Sequence, residues 1–268
     1  MDDKTEDSLE CLVAESLDAE AELYDCLPEL LADLDELSVP TEVVLDLIDH
    51  AEVAPGAQIL DLGCGKGALA IGIGSRFGAN VWGIDGHPKF VDAAVESARI
   101  AAQETCSFRT ADIRQAVFDY RGLDMVCFVG IGPIIGDLEQ TLATLRRCLR
   151  PGGYLVLDEA YLSAPKSELG PEYEHCFDRE TTLARLESQG DRVCAEALLD
   201  TPASDQFYRE ATEKILARAR AIAAEHPELA SVVLEFADRQ RAETESLGGP
   251  LVGALWLLRT PSDTNPRP

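Results

Sequence analysis

The stretch ILDLGCGKG, residues 59–67, decides the fold of this chain. Its first four residues, three of them apolar, predict a buried strand, and three glycines at alternate positions follow. Glycine suits a loop in which the backbone turns tightly and a ligand comes close. The helix predicted after the loop presents free backbone N–H groups beside that ligand. Gly63, Gly65 and Ala68 also satisfy the dinucleotide pattern G-x-G-x-x-G/A, so the glycines alone leave the ligand undecided.

Around this stretch, predicted strands alternate with predicted helices. The strands are expected at 57–62, 80–85, 105–110, 124–130 and 153–160, and the helices near 67–77, 88–102, 114–119 and 137–149. Strands separated by helical crossovers pair in parallel, and such crossovers are right-handed. The pattern therefore predicts an α/β fold with a doubly wound, largely parallel sheet.

Helical patterns flank the alternating region on both sides. On the amino side, apolar residues at three- and four-residue spacing predict helix over 5–37, broken or kinked at Pro28, and Thr41 then caps another helix. On the carboxyl side, the prediction is a helix near 179–189, a strand near 191–199, a long helical stretch near 204–246 that His226-Pro227 interrupts, and a last strand over 251–258.

The chain therefore divides into three predicted parts. These are an acidic helical lid at 1–52, an α/β core at 53–161, and a C-terminal half of the sheet at 162–268 with a helical insertion at 204–246. The insertion is rich in Ala, Glu and Arg. This composition fits either a cap over a pocket or the surface of a homodimer.

The charge of the chain is strongly negative and unevenly distributed. The net charge is −26 over 268 residues, and residues 1–52 hold 18 acidic side chains against a single lysine. Such a surface repels phosphate backbones, so DNA and RNA are poor partner candidates. The few lysines, five of 23 basic residues, fit either a high-salt cytoplasm or a GC-rich genome.

The sequence carries no sign of a membrane or export segment. Apolar runs fall short of the roughly 20 residues that span a bilayer, and the start MDDKTEDSLE is too acidic for a signal or transit peptide. The eight cysteines form no CxxC pair, and there are four histidines. We therefore expect a cytoplasmic protein with reduced core thiols and no metal site.

Three acidic residues lie at or just beyond the carboxyl ends of predicted strands and point to the ligand. Asp61 lies two residues before the first glycine, and a carboxylate there suits an ammonium-bearing ligand better than a pyrophosphate. Asp85 ends the second strand, where it suits ribose hydroxyls, as in NAD enzymes. Asp112 follows the third strand, in reach of an adenine amino group. Asp85 and Asp112 also suit helix caps, whereas Asp61 in a buried strand needs a partner.

Together these motifs resemble those of the class I S-adenosylmethionine-dependent methyltransferases of the small-molecule type. DLGCGKG at 61–67 is similar to their first motif, ID at 84–85 to the second, ADI at 111–113 to the adenine-side motif, and LRPGGYLV at 149–156 to the fifth-strand motif. The resemblance is strong over 57–160 and looser over 190–259. It implies a Rossmann-like seven-stranded sheet with a reversed last strand, under a helical cap from both chain regions.

The resemblance also implies S-adenosyl-L-methionine as the cofactor and suggests which residues bind it. It places Asp61, Gly63, Gly65 and Gly67 on the methionine side, Asp85 on the ribose, Asp112 on the adenine, and Ile113 and Val129 against the bound cofactor. The stretch FVGIGP at 128–133 departs from the D/N-P-P-Y/F signature of enzymes that methylate nucleic-acid bases. A small-molecule acceptor is therefore expected.

Residues for the chemical step are harder to predict, because positioning alone can accelerate methyl transfer and a base is optional. Glu159 and Tyr161, at the end of the fifth strand, are candidates to orient or deprotonate an acceptor. Tyr24 in the lid resembles the tyrosine that related enzymes place over the cofactor. A solvated strand end and an ordinary core tyrosine are the alternatives.

The predicted function is transfer of a methyl group from S-adenosyl-L-methionine to an oxygen, nitrogen or carbon of a small molecule. One alternative is an NAD(P)-dependent oxidoreductase, although the sequence has no Tyr-x-x-x-Lys pair. Another is a non-catalytic module that binds S-adenosylmethionine as a signal. The charge of the lid either steers a cationic or amine acceptor or is a solvated helix face.

Overall fold

The structure is a computed structural model that describes residues 8–169, 173–174, 176–245 and 247–262. Its strands, numbered in chain order, are β1 (Gln58–Leu62), β2 (Asn80–Asp85), β3 (Cys106–Thr110), β4 (Leu123–Phe128), β5 (Leu149–Asp158), β6 (Tyr161–Leu162), β7 (Arg192–Leu198), β8 (Leu251–Val252) and β9 (Ala254–Arg259). Its α-helices are α1 (Leu9–Glu15), α2 (Leu27–Leu30), α3 (Thr41–Ile48), α4 (Ala68–Phe77), α5 (Pro88–Ile100), α6 (Ile113–Ala116), α7 (Leu138–Arg146), α8 (Arg179–Leu186), α9 (Pro202–Glu225) and α10 (Ala230–Glu245).

Seven of these strands form one sheet in the order β3-β2-β1-β4-β5-β9-β7. The first five run parallel, and β9 runs antiparallel to both of its neighbours. The direction of winding reverses between β1 and β4, which leaves a crevice at their carboxyl ends. The predicted Rossmann-like sheet with a reversed last strand is confirmed.

The start of β5 differs from the prediction, which put it at residue 153. The strand begins at Leu149, which pairs with Leu123, and the next pair joins Tyr154 to Met125. The four residues 150–153 thus lie opposite a single residue of β4. Pro151 cannot donate to the ladder, so the proline and its two glycines form an irregularity inside the strand rather than a turn before it.

Two apolar cores cover the faces of the sheet, because parallel strands are buried on both sides. Leu60 and Leu62 of β1 point into the core that contains Trp256 and α7. Ile59 points into the other core, which α3 and α4 cover. By this alternation Asp61 faces the same side as Ile59, toward α4, in surroundings that are otherwise apolar.

The lid and the insertion form one cap with an apolar core of its own. Its buried residues from the lid are Ala14, Ala19, Leu23, Leu27, Leu30, Leu31 and Leu34, and those from α9 and α10 are Ile215, Ala219, Ile222, Val233, Phe236 and Ala237. Phe90 of α5 joins them from below. The insertion thus packs on the lid, and both of its predicted roles remain predictions.

The lid is less helical than its pattern predicts. Residues 5–7 of the predicted helix lie outside the described residues, α1 ends at Glu15, and turns with a short 3-10 helix (Ala21–Leu23) separate it from α2. Pro28 does not break a helix but occupies the first turn of α2, where a missing N–H costs no hydrogen bond. The leucines serve the packing against α9 and α10, and short helices satisfy that packing as well as a long one would.

The predicted interruption of the insertion is confirmed. Helix α9 ends at Glu225, immediately before His226-Pro227, and α10 begins at Ala230. Among the helices that the structure describes, none combines the length and apolar character needed to cross a membrane.

Candidate functional site

A cleft of about 980 Å³, counting space open to solvent, lies at the carboxyl ends of β1, β2 and β4. The glycine loop at 63–66 and the strand-end residues Asp61 and Asp85 form its floor. Helix α1 and residues 35–39 of the lid form the opposite wall. Ligands of doubly wound sheets bind at this edge.

The glycine loop has a backbone that other residues rarely adopt. Gly63, Gly65 and Gly67 have φ values of 72°, 50° and 84°. Gly63 and Gly65 line the cleft, and a Cβ atom on Gly63 would lie 2.6 Å from Cδ1 of Ile131. The loop therefore keeps the backbone itself exposed to whatever the cleft binds.

Gly67 is held by close packing around the start of α4, and its predicted place on the methionine side remains a prediction. It is not among the residues that line the cleft, and it precedes the first residue of α4. A Cβ atom there would lie 2.9 Å from the Cβ of Ala94 and 3.0 Å from the ring of Phe108. This glycine thus allows α4, α5 and β3 to pack closely.

Asp61 is a buried carboxylate at the floor of the cleft. Its exposed fraction is 3%, and its Oδ2 atom has no hydrogen-bond partner among the described residues. Its pKa is raised to about 7, first because burial penalises the charged form and second because Asp85 lies nearby. An unpaired buried carboxylate is costly, and a cation bound in the cleft would relieve that cost.

Asp85 holds the glycine loop in place. Its Oδ2 accepts a hydrogen bond from the Gly65 N–H at 2.9 Å, and its Oδ1 accepts one from the His87 N–H at 2.7 Å. Burial raises its pKa, and these two backbone N–H groups oppose that rise. The carboxylate lines the cleft, and each of its oxygens keeps a lone pair for a ligand. The helix cap of α5 is His87, whose Nδ1 accepts from the Lys89 N–H, and not Asp85.

Asp112 is engaged by its own helix. It caps α6 by accepting from the Arg114 N–H at 2.9 Å, and the Arg114 guanidinium also binds its carboxylate, at 2.7 Å. This ion pair and the backbone hydrogen bond hold the pKa of Asp112 below its usual range. The capping role that the sequence allowed is present, and Asp112 and the buried Ile113 nevertheless line the cleft.

The loop after β4 forms the wall beside Val129, which lines the cleft. The N–H of Gly130 donates to Oδ1 of Asp158 at the end of β5, at 2.8 Å, and burial raises the pKa of that carboxyl group. A Cβ atom on Gly130 would lie 2.1 Å from Oγ of Ser38 in the lid. Sequence reasoning missed Gly130, Asp158 and Ser38. Gly130 and Asp158 lie at the ends of the neighbouring strands β4 and β5, and this placement could have predicted their contact.

Comparisons with known proteins agree with this geometry. Residues 59–153 match the family described as "Methyltransferase domain". Phosphoethanolamine N-methyltransferase 1 of Arabidopsis thaliana is 24% identical over 165 residues, which are 62% of this chain and 33% of that protein. The solved structure of a methyltransferase from Thiobacillus denitrificans, in complex with S-adenosyl-L-homocysteine, has a TM-score of 0.74 at 20% identity and covers 87% of this chain and 97% of that one.

Residues 59–153 are therefore similar to a methyltransferase domain, and the fold is that of S-adenosylmethionine-dependent methyltransferases. The chain spans a small part of several curated relatives. The hybrid PKS-NRPS synthetase apdA of Emericella nidulans is 35% identical over 131 residues, which are 46% of this chain and 3% of that protein. The residues that the family description matches, 59–153, lie within the α/β core.

The two strand-end residues predicted to act on an acceptor are not among those that line the cleft. The backbone of Glu159 binds Ala254 and the indole N–H of Trp256, and burial raises the pKa of its side chain. Tyr161 pairs with Val252 in the small sheet, and its ring lies 6.1 Å from that of Trp256. Both residues lie beyond the strand end that faces the cleft, and their catalytic roles remain predictions.

Tyr24 is also not among the residues that line the cleft. Its ring stacks on His87 with 4.4 Å between the centroids, and Nε2 of His87 lies 3.1 Å from its carbonyl oxygen. Burial and the nearby acids Glu10, Asp25 and Asp85 raise the pKa of its phenol. The tyrosine covers the start of α5, so its predicted place over the cofactor also remains a prediction.

Lys66 is the residue of the glycine loop that sequence reasoning passed over. It lines the cleft, and its ammonium group donates to a carbonyl oxygen of the lid. Among the described residues, no group of three His, Cys, Asp or Glu side chains could hold a metal ion.

Proposed function

We propose that this chain transfers a methyl group from S-adenosyl-L-methionine to a small molecule. The observation that carries the proposal is the carboxylate of Asp61, buried at the floor of the cleft with one oxygen unpaired. A carboxylate in that position attracts an ammonium group and repels a pyrophosphate. This favours the amino acid end of S-adenosylmethionine over a dinucleotide, which was the alternative that the glycine pattern allowed.

The residues of the cleft fit this cofactor. The glycine cradle at Gly63 and Gly65 gives a ligand direct access to the backbone, and Asp61 would hold its ammonium group. Asp85 would accept hydrogen bonds from the ribose hydroxyls, while Asp112 would accept from the adenine amino group. Ile113 and Val129 would pack against the bound cofactor, since both are buried and line the cleft.

When bound, S-adenosylmethionine supplies an electrophilic methyl group on its sulfonium. The chain contributes orientation and exclusion of water: Leu37 and Ser38 of the lid cover Gly65 and Gly130 and close the cleft over its floor. Positioning of this kind can supply most of the acceleration, so the proposal needs no base from the chain. The acceptor would enter beside the loop after β4.

The acceptor in this proposal is a small molecule. A cleft roofed by the lid has room for a metabolite-sized ligand, and the net charge of −26 disfavours nucleic acid. The name of the phosphoethanolamine relative supports the small-molecule class. We also propose that the chain works in the cytoplasm as a lid (1–52), a cofactor-binding core (53–161) and a C-terminal half (162–268). The homodimer remains a prediction.

Calorimetric titration tests the cofactor. We expect S-adenosylmethionine and S-adenosylhomocysteine to bind with micromolar affinity, and Asp61→Asn to weaken both about tenfold or more, since a charge-assisted hydrogen bond contributes ~1.5–3 kcal/mol. Asp124→Asn is the matched control, because Asp124 begins the adjacent strand at the opposite edge of the sheet. Binding of NAD alone would make the chain an oxidoreductase-type domain instead.

A second measurement tests the chemistry. The protein is incubated with S-adenosylmethionine labelled in its methyl group and with pools of amines, phenols, alcohols and carbon acids. Labelled product in any pool supports methyl transfer and identifies the attacked atom. Cofactor binding with no labelled product in any pool would favour the non-catalytic module.

A further inference from the structure

We propose that Lys66 is a positioning residue that fastens the lid to the cofactor loop. The inference rests on the proposed function, because the loop that Lys66 belongs to is the one that would hold the cofactor. The glycine loop would then have a second role. Besides forming the floor of the cleft, it would fix the position of the lid segment that forms the opposite wall.

The ammonium group of Lys66 donates its hydrogen bonds to the lid. Its Nζ donates to the carbonyl oxygens of Leu31 and Leu34, both at 2.6 Å, and lies 3.4 Å from that of Ala32. These carbonyls belong to the turn that follows α2. An ammonium group has three N–H donors, so this turn takes up its whole hydrogen-bonding capacity.

The side chain can reach the lid because of where it stands in the loop. Gly65 and Gly67 on either side have φ values of 50° and 84°, so the backbone turns around Lys66. The lysine is half-buried, and burial lowers its pKa, whereas Asp33 and Asp35 of the lid oppose that change. The ammonium group of Lys66 is therefore partly shielded from solvent and lies near the acidic residues of the lid turn.

The turn held by Lys66 is also fixed from the other side. The guanidinium of Arg218 on α9 binds the carboxylate of Asp33 through two contacts, at 2.6 and 2.7 Å. The side chains of Leu30, Leu31 and Leu34 are buried in the cap core. The turn therefore moves with the cap as a whole, and Lys66 connects that cap to the floor of the cleft.

The segment after the turn is the wall of the cleft. Residues 35–39 line it, and Leu37 lies over the loop so closely that a Cβ atom on Gly65 would be 3.0 Å from its Cδ1. Without the hydrogen bonds of Lys66, residues 35–39 would no longer be held against the glycine loop. A bound ligand would then leave more easily, while the α/β core would keep its packing.

Hydrogen exchange and ligand dissociation test the proposal with Lys66→Met, which keeps the aliphatic stem and removes the donors. Without any ligand, we expect amide exchange over residues 27–39 to become about tenfold faster, with exchange in β1 and β4 unchanged. We expect S-adenosylhomocysteine to dissociate about tenfold faster. Lys66→Arg, which keeps a cation, should restore at least part of both effects.

The control is Lys89→Met, which removes an exposed lysine from the first turn of α5 and should change neither readout. Equal exchange over residues 27–39 in Lys66→Met and the unmodified protein would overturn the proposal. Faster exchange of the lid and of β1 together, without rescue by arginine, would also overturn it, because it would indicate a general loss of stability. The unliganded exchange does not depend on the cofactor, so a failure of the proposed function would appear separately, as absence of S-adenosylhomocysteine binding.

Discussion

At the scale of single residues, Asp61 and Asp85 illustrate two ways to bury a carboxylate. Asp85 is satisfied by two backbone N–H groups and orders the glycine loop. Asp61 lacks a partner for one oxygen, and its pKa rises to about 7. The first arrangement stabilises the fold, and the second leaves a charge in the cleft that a ligand can satisfy.

Asp61 should make the unliganded protein less stable at alkaline than at acidic pH. Its folded pKa of about 7 exceeds the ordinary value of 3.8, so the folded state binds more protons than the unfolded state between these values. The free energy of unfolding therefore falls as the pH rises through this window. Asp61→Asn should remove up to about 4 kcal/mol of that loss at pH 8 and almost none at pH 4.

Urea unfolding at pH 4 and pH 8, without ligand, measures this difference. The comparison needs no other variant, since each protein at pH 4 serves as its own reference. An asparagine variant that is no more stable than the unmodified protein at pH 8 would contradict the buried, unpaired carboxylate.

At the scale of elements, the lid contacts the core at glycines of three core loops. Leu37 covers Gly65 of the loop after β1, Leu9 and Val13 of α1 cover Gly86 after β2, and Ser38 covers Gly130 after β4. The three glycines follow three neighbouring strands. They allow the backbones of lid and core to approach, which closes the cleft.

Gly130 and Gly132 provide a matched pair to test this contact. Both have a φ of 69°, so alanine strains the backbone equally at either position. At Gly130, however, the new Cβ would meet Ser38, whereas at Gly132 nothing lies within 4 Å. We expect Gly132→Ala to cost ~1 kcal/mol of stability, and Gly130→Ala to cost more and to weaken S-adenosylhomocysteine binding about tenfold.

Thermal unfolding and calorimetry compare the two variants. The double variant Gly130→Ala with Ser38→Gly removes the atoms that the new Cβ would meet, and it should bind as Gly132→Ala does. Equal affinity of the two single variants would mean that the contact between Ser38 and Gly130 does not hold the lid.

At the scale of the whole molecule, charge opposes the closed cap. The net charge is −26, and the lid holds 18 acidic residues against one lysine. Arg218 of α9 neutralises part of this charge at Asp33, and Arg76 of α4 does so at Asp46 and Asp49 of α3 and the adjoining turn. Most of the lid acids remain exposed and repel one another at low ionic strength.

Salt should therefore stabilise this protein. We expect the melting temperature to rise by several degrees between 0.05 and 1 M KCl, because the Debye length falls from about 14 to about 3 Å and screens the repulsion. An equal rise with choline chloride would indicate screening, whereas a rise with KCl alone would indicate specific ion binding. A falling melting temperature would show that ion pairs such as those of Arg218 and Arg76 outweigh the repulsion.

The sequence alone determined the sheet and most of the cofactor side of the cleft. Strand and helix periods are local, and the α/β alternation has few packing solutions, so β1 to β4 and their crossovers were predicted within a few residues. Asp61, Asp85 and Asp112 were found because each lies at or just beyond the carboxyl end of a strand, and the carboxyl ends of parallel strands meet at one edge.

The tertiary structure decided what depends on contacts between distant segments. The lid pattern predicted long helices, whereas the lid packs against α9 and α10 through short helices and turns. Gly130 donates a hydrogen bond to Asp158, which lies 28 positions away. Lys66 donates to Leu31 and Leu34, which lie 35 and 32 positions away. Local sequence patterns do not encode such pairs, because each forms only after the sheet has brought loops and lid to the same edge.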